Sequence, residues 1–400
     1  MESYQNKTPS PMTPPPVLFG VESVGALGHS TIGLATIELD RPAVLNALDT
    51  NCYKLIEERL VKWQDDANIG AVVISGKGGK AFCAGGDVKG LIIKSKEFGL
   101  EIAFEFFTNE YFVDGLIHKY KKPVIAICDG ITMGGGLGLA AGAVLRIATE
   151  RTVVAMPELS IGFFPDVGAT CFLRGLTSRP VRPPFGLFMG LTGARLSGAD
   201  ALRMGLMDAF VPSNRLRHFH ADLLRTVAGA TEPVQLQSNL ANLKSALIRN
   251  EPPEGGMNKT DEHIIEDVFS LNNLSEIDRS FKKARGLSPW LEETRTRYLK
   301  GSPLSRAVFF AAFERHRELS IIKTLAREWD ISINFSKSGE FTEGVRAVLI
   351  DKDQSPKWRY AELTQVPQEA VAAMFSPGEQ MNKSPGSENR LEKKFRQFGL

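Results

Sequence analysis

The chain has 400 residues, a formal net charge of +2 and a hydrophobic fraction of 43%. This composition is typical of a globular protein with a sizeable core, and the nearly balanced charge predicts neither nucleic-acid nor membrane binding. No apolar run is long enough to span a bilayer. The four cysteines form no CxxC pair and the six histidines form no metal-binding motif, so we expect reduced thiols and no metal site.

The first residues, 1–16, are rich in Pro, Ser and Thr and predict a disordered tail. They lack both the apolar core of a secretory signal and the Arg-rich pattern of a transit peptide. The final residues, RQFGL, differ from an SKL-type peroxisomal address. The sequence therefore predicts a cytoplasmic protein.

Residues 17–213 alternate between strand-like and helix-like patterns. Runs of β-branched and alternating apolar residues predict strands at 17–24, 31–39, 71–76, 123–130, 144–150 and 152–158. The segment 49–66 repeats apolar residues at helical spacing and opens on Asp49 or Thr50 as a cap. This alternation predicts an α/β catalytic core.

Beyond residue 213 most segments are helical in pattern, up to about residue 375. Ser288 and Ser302 each precede a proline, which is the usual arrangement of a helix cap and a first helical residue. We expect this helical region to belong to the same enzyme unit as the core. Residues 376–400 are polar and predict a frayed tail.

Two glycine-rich stretches could supply uncovered backbone amides. KAFCAGGDVKG (80–90) follows a strand, and GITMGGGLGLAAG (130–142) places three glycines before a small-residue helix. Bare amides at such a turn or helix start can donate to a negatively charged oxygen. The alternative for the first stretch is a plain surface turn.

The second glycine stretch also matches a dinucleotide-binding motif in part. Gly136, Gly138 and Ala141 match a dinucleotide-binding fingerprint, with an acid 20 residues later at Glu158. However, Ile131-Thr132-Met133 separates the preceding strand from the first glycine. A nicotinamide cofactor is therefore not predicted.

A third stretch, MPELSIGFFPDVG (156–168), sets two acids in an apolar run. Glu158 and Asp166 are flanked by Leu159, Phe163 and Phe164. A carboxylate in such surroundings loses hydration, which is costly unless something compensates. The stretch is either a reactive site or a pair of loop acids, one of which caps a helix.

In order and spacing, these stretches resemble the crotonase (enoyl-CoA hydratase/isomerase) superfamily. The resemblance rests on LDRPAVLNAL, AFCAGGD, GITMGGGLGLA and MPELSIGFFPDVG, and it extends to LTGARLSGADALRMGLMDAFV, GSPLS and FTEGVRAVLIDKDQSPKW. The last three are typical of the 3-hydroxyisobutyryl-CoA hydrolase branch. The resemblance implies a spiral of β-β-α turns followed by a helical C-terminal region.

The resemblance also implies how a substrate would be held. Two backbone amides, from Ala84 and Gly135 by position, would form an oxyanion hole for the thioester carbonyl. Gly86, Asp87 and Gly134 would lie beside them as substrate-binding residues. Such a hole serves an enolate and a tetrahedral intermediate equally, so the acids must choose the reaction.

The acids depart from the hydratase pattern. Hydratases carry a first catalytic glutamate two positions after GGG, where this chain has Gly138. Their second glutamate matches Glu158. Asp166 replaces a usual glycine, as in the hydrolase branch, which also carries a glutamate matching Glu110. The resemblance thus implies Glu158 and Asp166 as catalytic residues and Glu110 as a substrate-binding residue.

The activity implied is hydrolysis of a short branched 3-hydroxyacyl-CoA, such as 3-hydroxyisobutyryl-CoA, in valine breakdown. Glu158 would attack the thioester directly or activate a water, without metal or redox cofactor. The partner would be the acyl-CoA substrate alone, with its phosphates near Arg41, Lys80 or Lys89. The oligomeric state stays open, a homo-oligomer being one alternative.

Two other functions remain open from the sequence. The chain could be a hydratase or isomerase that uses Glu158 alone. It could also be a non-catalytic relative that binds acyl-CoA or RNA. No stripe of Lys and Arg with interleaved aromatic residues supports RNA binding.

Overall fold

The computed structural model describes residues 15–23, 32–176, 184–230, 232–248, 252–378 and 388–400. Most of the expected N-terminal tail, residues 1–14, lies outside this part of the chain.

The main sheet has six strands in the order β1-β2-β3-β5-β7-β10. The strands are β1 (Val17–Glu22), β2 (Gly33–Leu39), β3 (Ile69–Gly76), β5 (Val124–Cys128), β7 (Leu145–Ala148) and β10 (Ala209–Phe210). β1 pairs antiparallel with β2, and every other pair is parallel. Four of the predicted strands match β1, β2, β3 and β5, and the predicted strand at 144–150 contains β7.

A second sheet of four short strands carries the chemistry-bearing stretches. Its order is β4 (Ala81–Cys83), β6 (Ile131–Met133), β8 (Val153–Ala155) and β9 (Leu196–Ser197). β4, β6 and β8 are parallel, so their carboxyl ends meet at one edge. The sequence did not predict β4 or β6, because runs of three residues give too short a periodic signal.

The helices of the described part are α1 (Thr50–Gln64), α2 (Val88–Phe98), α3 (Glu101–His118), α4 (Gly135–Ala141), α5 (Ala169–Phe172), α6 (Phe185–Thr192), α7 (Gly198–Met204), α8 (Leu216–Ala228), α9 (Pro233–Leu247), α10 (Lys259–Phe269), α11 (Leu274–Lys283), α12 (Pro289–Lys300), α13 (Pro303–Arg315), α14 (Ile321–Ser338), α15 (Glu340–Val345), α16 (Gln368–Ala373) and α17 (Arg390–Gln397). The predicted caps are confirmed: Asp49, Ser288 and Ser302 each accept a backbone N–H of the first turn of α1, α12 and α13.

Strands alternate between the two sheets along the chain. β3 and β4, β5 and β6, and β7 and β8 each pass from the main sheet to the second, and helices follow each pair. This is the expected spiral of β-β-α turns. The α/β class and the helical C-terminal region are both confirmed.

The helical C-terminal region packs directly onto the core. α14 lies along α3, where the Trp329 indole N–H donates to Thr108 Oγ1 at 3.0 Å and the Trp329 ring stacks on Phe104. One continuous cluster of buried side chains extends from Val17 to Phe395. A second cluster covers the other face of the main sheet with α8 and α9. The site described next therefore has walls from both regions.

The end of the chain differs from the frayed tail expected after residue 376. Residues 388–400 are described and contain α17, whose Leu391 and Phe395 are buried. Phe395 packs on Phe112 of α3 and occupies the space left by Gly115, where a Cβ would lie 2.5 Å from its ring. The two apolar residues, four apart, form one helix face, which the charged composition obscured.

Candidate active site

The carboxyl ends of β4, β6 and β8 surround a cleft of about 280 Å³. Its lining includes six of the predicted site glycines and acids, together with apolar residues from the C-terminal region. The lining residues are Ala84, Gly85, Gly86, Val88, Phe107, Glu110, Met133, Gly134, Gly135, Pro157, Glu158, Ser160, Ile161, Phe163, Asp166, Arg195, Val348 and Leu349. The fold thus brings together the three stretches that the sequence singled out.

The turn after β4 corrects one predicted oxyanion donor. The backbone N–H of Ala84 donates to the Leu45 carbonyl at 3.0 Å, so it is not free for a ligand. The N–H of Gly86 has no acceptor among the described residues. A Cβ placed on Gly135 would lie 3.3 Å from the Gly86 nitrogen. The free amide next to Gly135 is therefore that of Gly86.

Gly135 is the first residue of α4, so its amide has no partner within the helix. A side chain at this position is excluded, because a Cβ would lie 2.5 Å from Glu110 Oε1 and 2.8 Å from the Tyr53 hydroxyl. Gly134 precedes it with a φ of 51°, in the left-handed region. A Cβ on Gly134 would lie 2.7 Å from Glu158 Oε1. Both glycines let carboxyl groups approach the amides closely.

Glu158 begins a short 3-10 helix, Glu158–Ile161, just after β8. Its side chain is buried, and its Oε2 has no hydrogen-bond partner among the described residues. Burial, followed by the charge of Asp166, raises the pKa of Glu158 well above its usual value. An unpartnered carboxyl oxygen in a cleft is available to a reacting group.

Asp166 is held by a chain of hydroxyl groups. The Tyr111 hydroxyl donates to Asp166 Oδ2 at 2.5 Å and lies 2.6 Å from the Ser332 Oγ of α14. Burial raises the pKa of Asp166 to about 7, while the Tyr111 hydrogen bond lowers it. Asp166 therefore changes its charge near neutral pH.

The backbone that carries Asp166 is strained. Val167 has a φ of 54°, which is unusual for a β-branched residue and costs about 1–3 kcal/mol. Glu328 of α14 accepts the N–H of Gly168 at 2.6 Å and the N–H and hydroxyl of Thr170. Burial raises the pKa of Glu328 to about 8. The C-terminal region thus fixes the loop that aims Asp166.

Two acids come from α3. Glu110 accepts a hydrogen bond from the Tyr53 hydroxyl at 2.6 Å, and burial and the charge of Asp166 raise its pKa well above its usual value. Asp114, one turn later, is fully buried, and neither of its oxygens has a partner among the described residues. A Cβ on Gly138 would lie 3.1 Å from each Asp114 oxygen and 2.8 Å from Val167. The space at the missing hydratase glutamate is therefore filled from α3 and the Asp166 loop.

Asp87, predicted to bind substrate, is not part of the cleft lining. Its side chain caps α2 by accepting the Gly90 N–H at 2.9 Å, and it lies 3.6 Å from Arg41. Arg41 itself is bound to Asp49 and to the Ala47 carbonyl. These two predictions are corrected, because the side chains of Asp87 and Arg41 are engaged in a helix cap and in ion pairs within the protein. Lys80 and Lys89 are exposed.

Sequence reasoning missed Tyr53, Tyr111, Asp114, Arg195 and Glu328. The spacing of Glu110 and Asp114, four residues apart in an apolar helix, is a signal that could have found Asp114. Nothing local marks Glu328, since it meets the loop only through tertiary packing.

The described residues lack two further features. They contain no group of three or more His, Cys, Asp or Glu side chains arranged to hold a metal ion. None of their helices is both long and apolar enough to cross a membrane.

Comparison with known proteins agrees with this geometry. The model of a family described as enoyl-CoA hydratase/isomerase matches residues 34–375. The chain belongs to the enoyl-CoA hydratase/isomerase family.

Relatives of this family member share most of its length. The mitochondrial 3-hydroxyisobutyryl-CoA hydrolase of Danio rerio is 37% identical over 367 residues, covering 90% of this chain and 89% of the relative. The protein of the same name from Rattus norvegicus is 37% identical over 346 residues, covering 85% of each chain. The predicted resemblance to this branch is confirmed.

A solved structure extends the likeness to the fold. The crystal structure of a carnitinyl-CoA dehydratase from Mycobacterium thermoresistibile matches with a TM-score of 0.76 at 32% identity. The match covers 93% of this chain and 99% of that one, so the helical C-terminal region is included in the likeness.

Proposed function

We propose that this protein hydrolyses the thioester of a short branched 3-hydroxyacyl-CoA. The expected substrate is 3-hydroxyisobutyryl-CoA, and the products are 3-hydroxyisobutyrate and CoA, a step of valine breakdown. The relatives named for this activity support the proposal. The observation that carries it is the buried carboxyl of Glu158, with a free oxygen, beside two glycine turns with uncovered amides.

The first part of the mechanism is the oxyanion hole. The thioester oxygen would accept the N–H groups of Gly86 and Gly135, with Gly86 taking the role first predicted for Ala84. Preorganised donors of this kind lower the barrier because they need no reorganisation as negative charge develops on the oxygen. Both amides lie at the edge of the second sheet, where Glu158 Oε1 would be 2.7 Å from a Cβ on Gly134.

The second part is Glu158, for which two routes remain. In one, its carboxylate attacks the carbonyl carbon, the C–S bond breaks, CoA leaves as a thiolate, and water then hydrolyses the acyl–glutamate anhydride. In the other, Glu158 accepts a proton from a water that attacks directly. Both routes require ionised Glu158, whose raised pKa makes it a stronger base.

The remaining acids position the reactants. Ionised Asp166 would accept a hydrogen bond from the substrate hydroxyl or the hydrolytic water, and Tyr111 keeps its carboxyl in place. Glu110 would assist from the α3 wall, held by Tyr53. The apolar rings of Phe107 and Phe163 would contact the short branched acyl group. The reaction as proposed needs no metal or redox cofactor.

The test is thiol release from hydroxyacyl-CoA thioesters, followed with a thiol-trapping dye. We expect Glu158→Gln to lower kcat by about 10²- to 10⁴-fold and Asp166→Asn by less. Near wild-type turnover of Glu158→Gln on every thioester would refute the mechanism. Single turnover in ¹⁸O-labelled water separates the routes, since label enters Glu158 only through the anhydride.

Hydration of an enoyl thioester is the alternative activity. The match to a carnitinyl-CoA dehydratase is the observation that favours it. Against it, position 138 has no side chain and no room for one, so the first hydratase acid is missing. Loss of the ultraviolet enoyl-thioester band on incubation with crotonyl-CoA would establish hydration. The presence of Glu110, Glu158 and Asp166 in one cleft argues against a non-catalytic binding protein.

The compartment and the assembly are separate questions. The cytoplasmic location expected from the sequence stays a prediction, and the mitochondrial names of the relatives weigh against it. Cell fractionation decides between the two. Sizing chromatography with light scattering decides whether the protein is a homo-oligomer.

A further inference from the structure

A second cavity, of about 280 Å³, lies directly beside the acid cleft. The two share the wall residues Pro157, Ser160, Arg195 and Val348. The remaining lining residues are Leu159, Leu191, Thr192, Gly193, Arg297, Tyr298, Lys300, Gln354 and Pro356. We call this space the basic cavity, because Arg195, Arg297 and Lys300 line it and none of its described lining residues is acidic.

The three cations are incompletely paired. Arg297 forms one ion pair, through Nη2 to Glu293, while its Nη1 is buried with no partner among the described residues. The structure gives no ion pair for the side chains of Arg195 or Lys300 with any described residue. Burial and the nearby charge of Arg195 lower the pKa of Arg297. The cavity wall therefore carries one half-buried guanidinium with an unused N–H group, Arg297, beside two exposed cations, Arg195 and Lys300.

The unpartnered Nη1 of Arg297 is costly unless a ligand accepts its N–H groups. Like charges repel, and a buried N–H without an acceptor loses hydration. The carboxyl groups of the cleft do not provide the compensation, since Glu158 Oε2 is itself unpartnered. Arginine forks match the geometry of carboxylate and phosphate oxygens.

We propose that the basic cavity binds an anionic oxygen group of the same ligand whose thioester lies in the acid cleft. The inference rests on the proposed function, because an acyl-CoA is the ligand assumed for the cleft. Two parts of such a ligand carry this chemistry. One is a phosphate of CoA, and the other is a carboxylate at the far end of a longer acyl group.

The basic cavity differs from the residues that the sequence suggested for the CoA phosphates. The sequence suggested Arg41, Lys80 and Lys89, but Arg41 is bound internally and both lysines are exposed. The basic cavity instead combines the half-buried Arg297 with the exposed Arg195, which also lines the acid cleft. A partly desolvated arginine interacts more strongly with an anion than a fully hydrated lysine does.

The experiment compares two pairs of thioesters on wild type, Arg297→Gln and Lys300→Gln. In the first pair, one hydroxyacyl group is carried by CoA or by pantetheine. In the second, acyl-CoA esters of equal length end in a carboxylate or a methyl group. Lys89→Gln represents the rival phosphate site, and Lys62→Gln, on the exposed face of α1, is the surface-charge control.

We expect both cavity variants to raise KM at least about tenfold for the charged member of one pair, with little change in kcat. KM for the neutral member should stay at its wild-type value. A selective effect in the first pair assigns the cavity to the phosphates, and one in the second assigns it to an acyl carboxylate.

Equal changes for charged and neutral members, or no change in either pair, would overturn the proposal. So would a selective effect confined to Lys89→Gln. Failure of the proposed function would look different, as absence of thiol release by wild type from every thioester. Calorimetric binding of CoA and of pantetheine then makes the same comparison without turnover, and Lys300→Gln serves if Arg297→Gln does not fold.

Discussion

The glycine turns and the acid loop face each other across one cleft but are held in different ways. The turns after β4 and β6 are held by backbone groups, through the bond from the Ala84 N–H to the Leu45 carbonyl and through the start of α4. The acid loop, 158–170, contains a strained Val167 and depends on Tyr111 of α3 and Glu328 of α14.

The difference shows that backbone hydrogen bonds are enough to hold the glycine turns, whereas the acid loop needs side chains from α3 and α14. Backbone amides need only the correct turn and the absence of side chains. Buried acids need neighbours that satisfy or protonate them, because a lone carboxylate is costly in an apolar wall. The helical C-terminal region therefore supports the acid side of the cleft, since it supplies Glu328 and Ser332.

Apart from the removal of Glu158 itself, closing the glycine side should have the largest effect. Gly135→Ala places a Cβ where Glu110 Oε1 and the Tyr53 hydroxyl now lie, at 2.5 and 2.8 Å. We expect kcat for thioester hydrolysis to fall about 10²- to 10³-fold as the oxyanion donor shifts. Gly175→Ala, where a Cβ would meet no atom within 4 Å, is the matched control. Unchanged kcat in Gly135→Ala would remove Gly135 from the oxyanion hole.

Releasing the acid loop should come next. Glu328→Gln replaces one acceptor oxygen with an amide that cannot accept the Gly168 N–H. We expect a lower Tm and about a tenfold lower kcat, because the strained loop is no longer held. The exposed Glu318→Gln is the control. If calorimetry and turnover match wild type, the loop is held without α14.

Changing one hydrogen bond should shift the pH dependence. Tyr111→Phe removes the donor that lowers the pKa of Asp166, so that pKa rises further above about 7. Because Asp166 is proposed to act when ionised, the rising limb of the kcat–pH profile should move to higher pH. At pH 7 we expect kcat to fall several-fold, within about tenfold. The Tyr53 hydroxyl donates to Glu110 instead, so Tyr53→Phe should leave the rising limb in place. Equal shifts of the limb in the two variants would contradict its assignment to Asp166.

The smallest effect concerns stability. Asp166 has a folded pKa of about 7 against a usual value of 3.8, so the folded state holds its proton more tightly. The stability this provides is fully present below about pH 4 and is lost as the pH rises through 7. We expect the Tm of wild type to fall between pH 5 and 8 by a few degrees more than that of Asp166→Asn. Parallel Tm–pH curves from calorimetry would show that Asp166 is not protonated in the folded state.

Much of the fold and site could be predicted from the sequence. The strands of the main sheet follow from apolar alternation, and the helix caps at Asp49, Ser288 and Ser302 follow from residue chemistry. The spacing of GGG, Glu158 and Asp166 was enough to indicate an acid site, because these signals are local. The predicted polar tail was wrong where α17 packs, since a two-residue apolar face is too weak a signal.

Other features depended on distance in space. The sequence does not show whether the amide of Ala84 or that of Gly86 is uncovered. The hydrogen bond from the Ala84 N–H to the Leu45 carbonyl leaves that of Gly86 free. Asp87 was predicted to bind substrate, but its side chain caps α2. The basic cavity joins residues from α12 with Arg195, which lies before β9, so no single stretch contains it.

The sequence by itself determined the reactive groups: glycines that leave amides bare, acids in an apolar run, and the glycine at 138. The tertiary structure decided which amide is free, what holds Asp166, and which acids have a raised pKa. The physical reason is that turns and caps are set by neighbours along the chain. Burial, pairing and pKa depend instead on residues far apart in sequence, such as Tyr111 and Glu328 around Asp166.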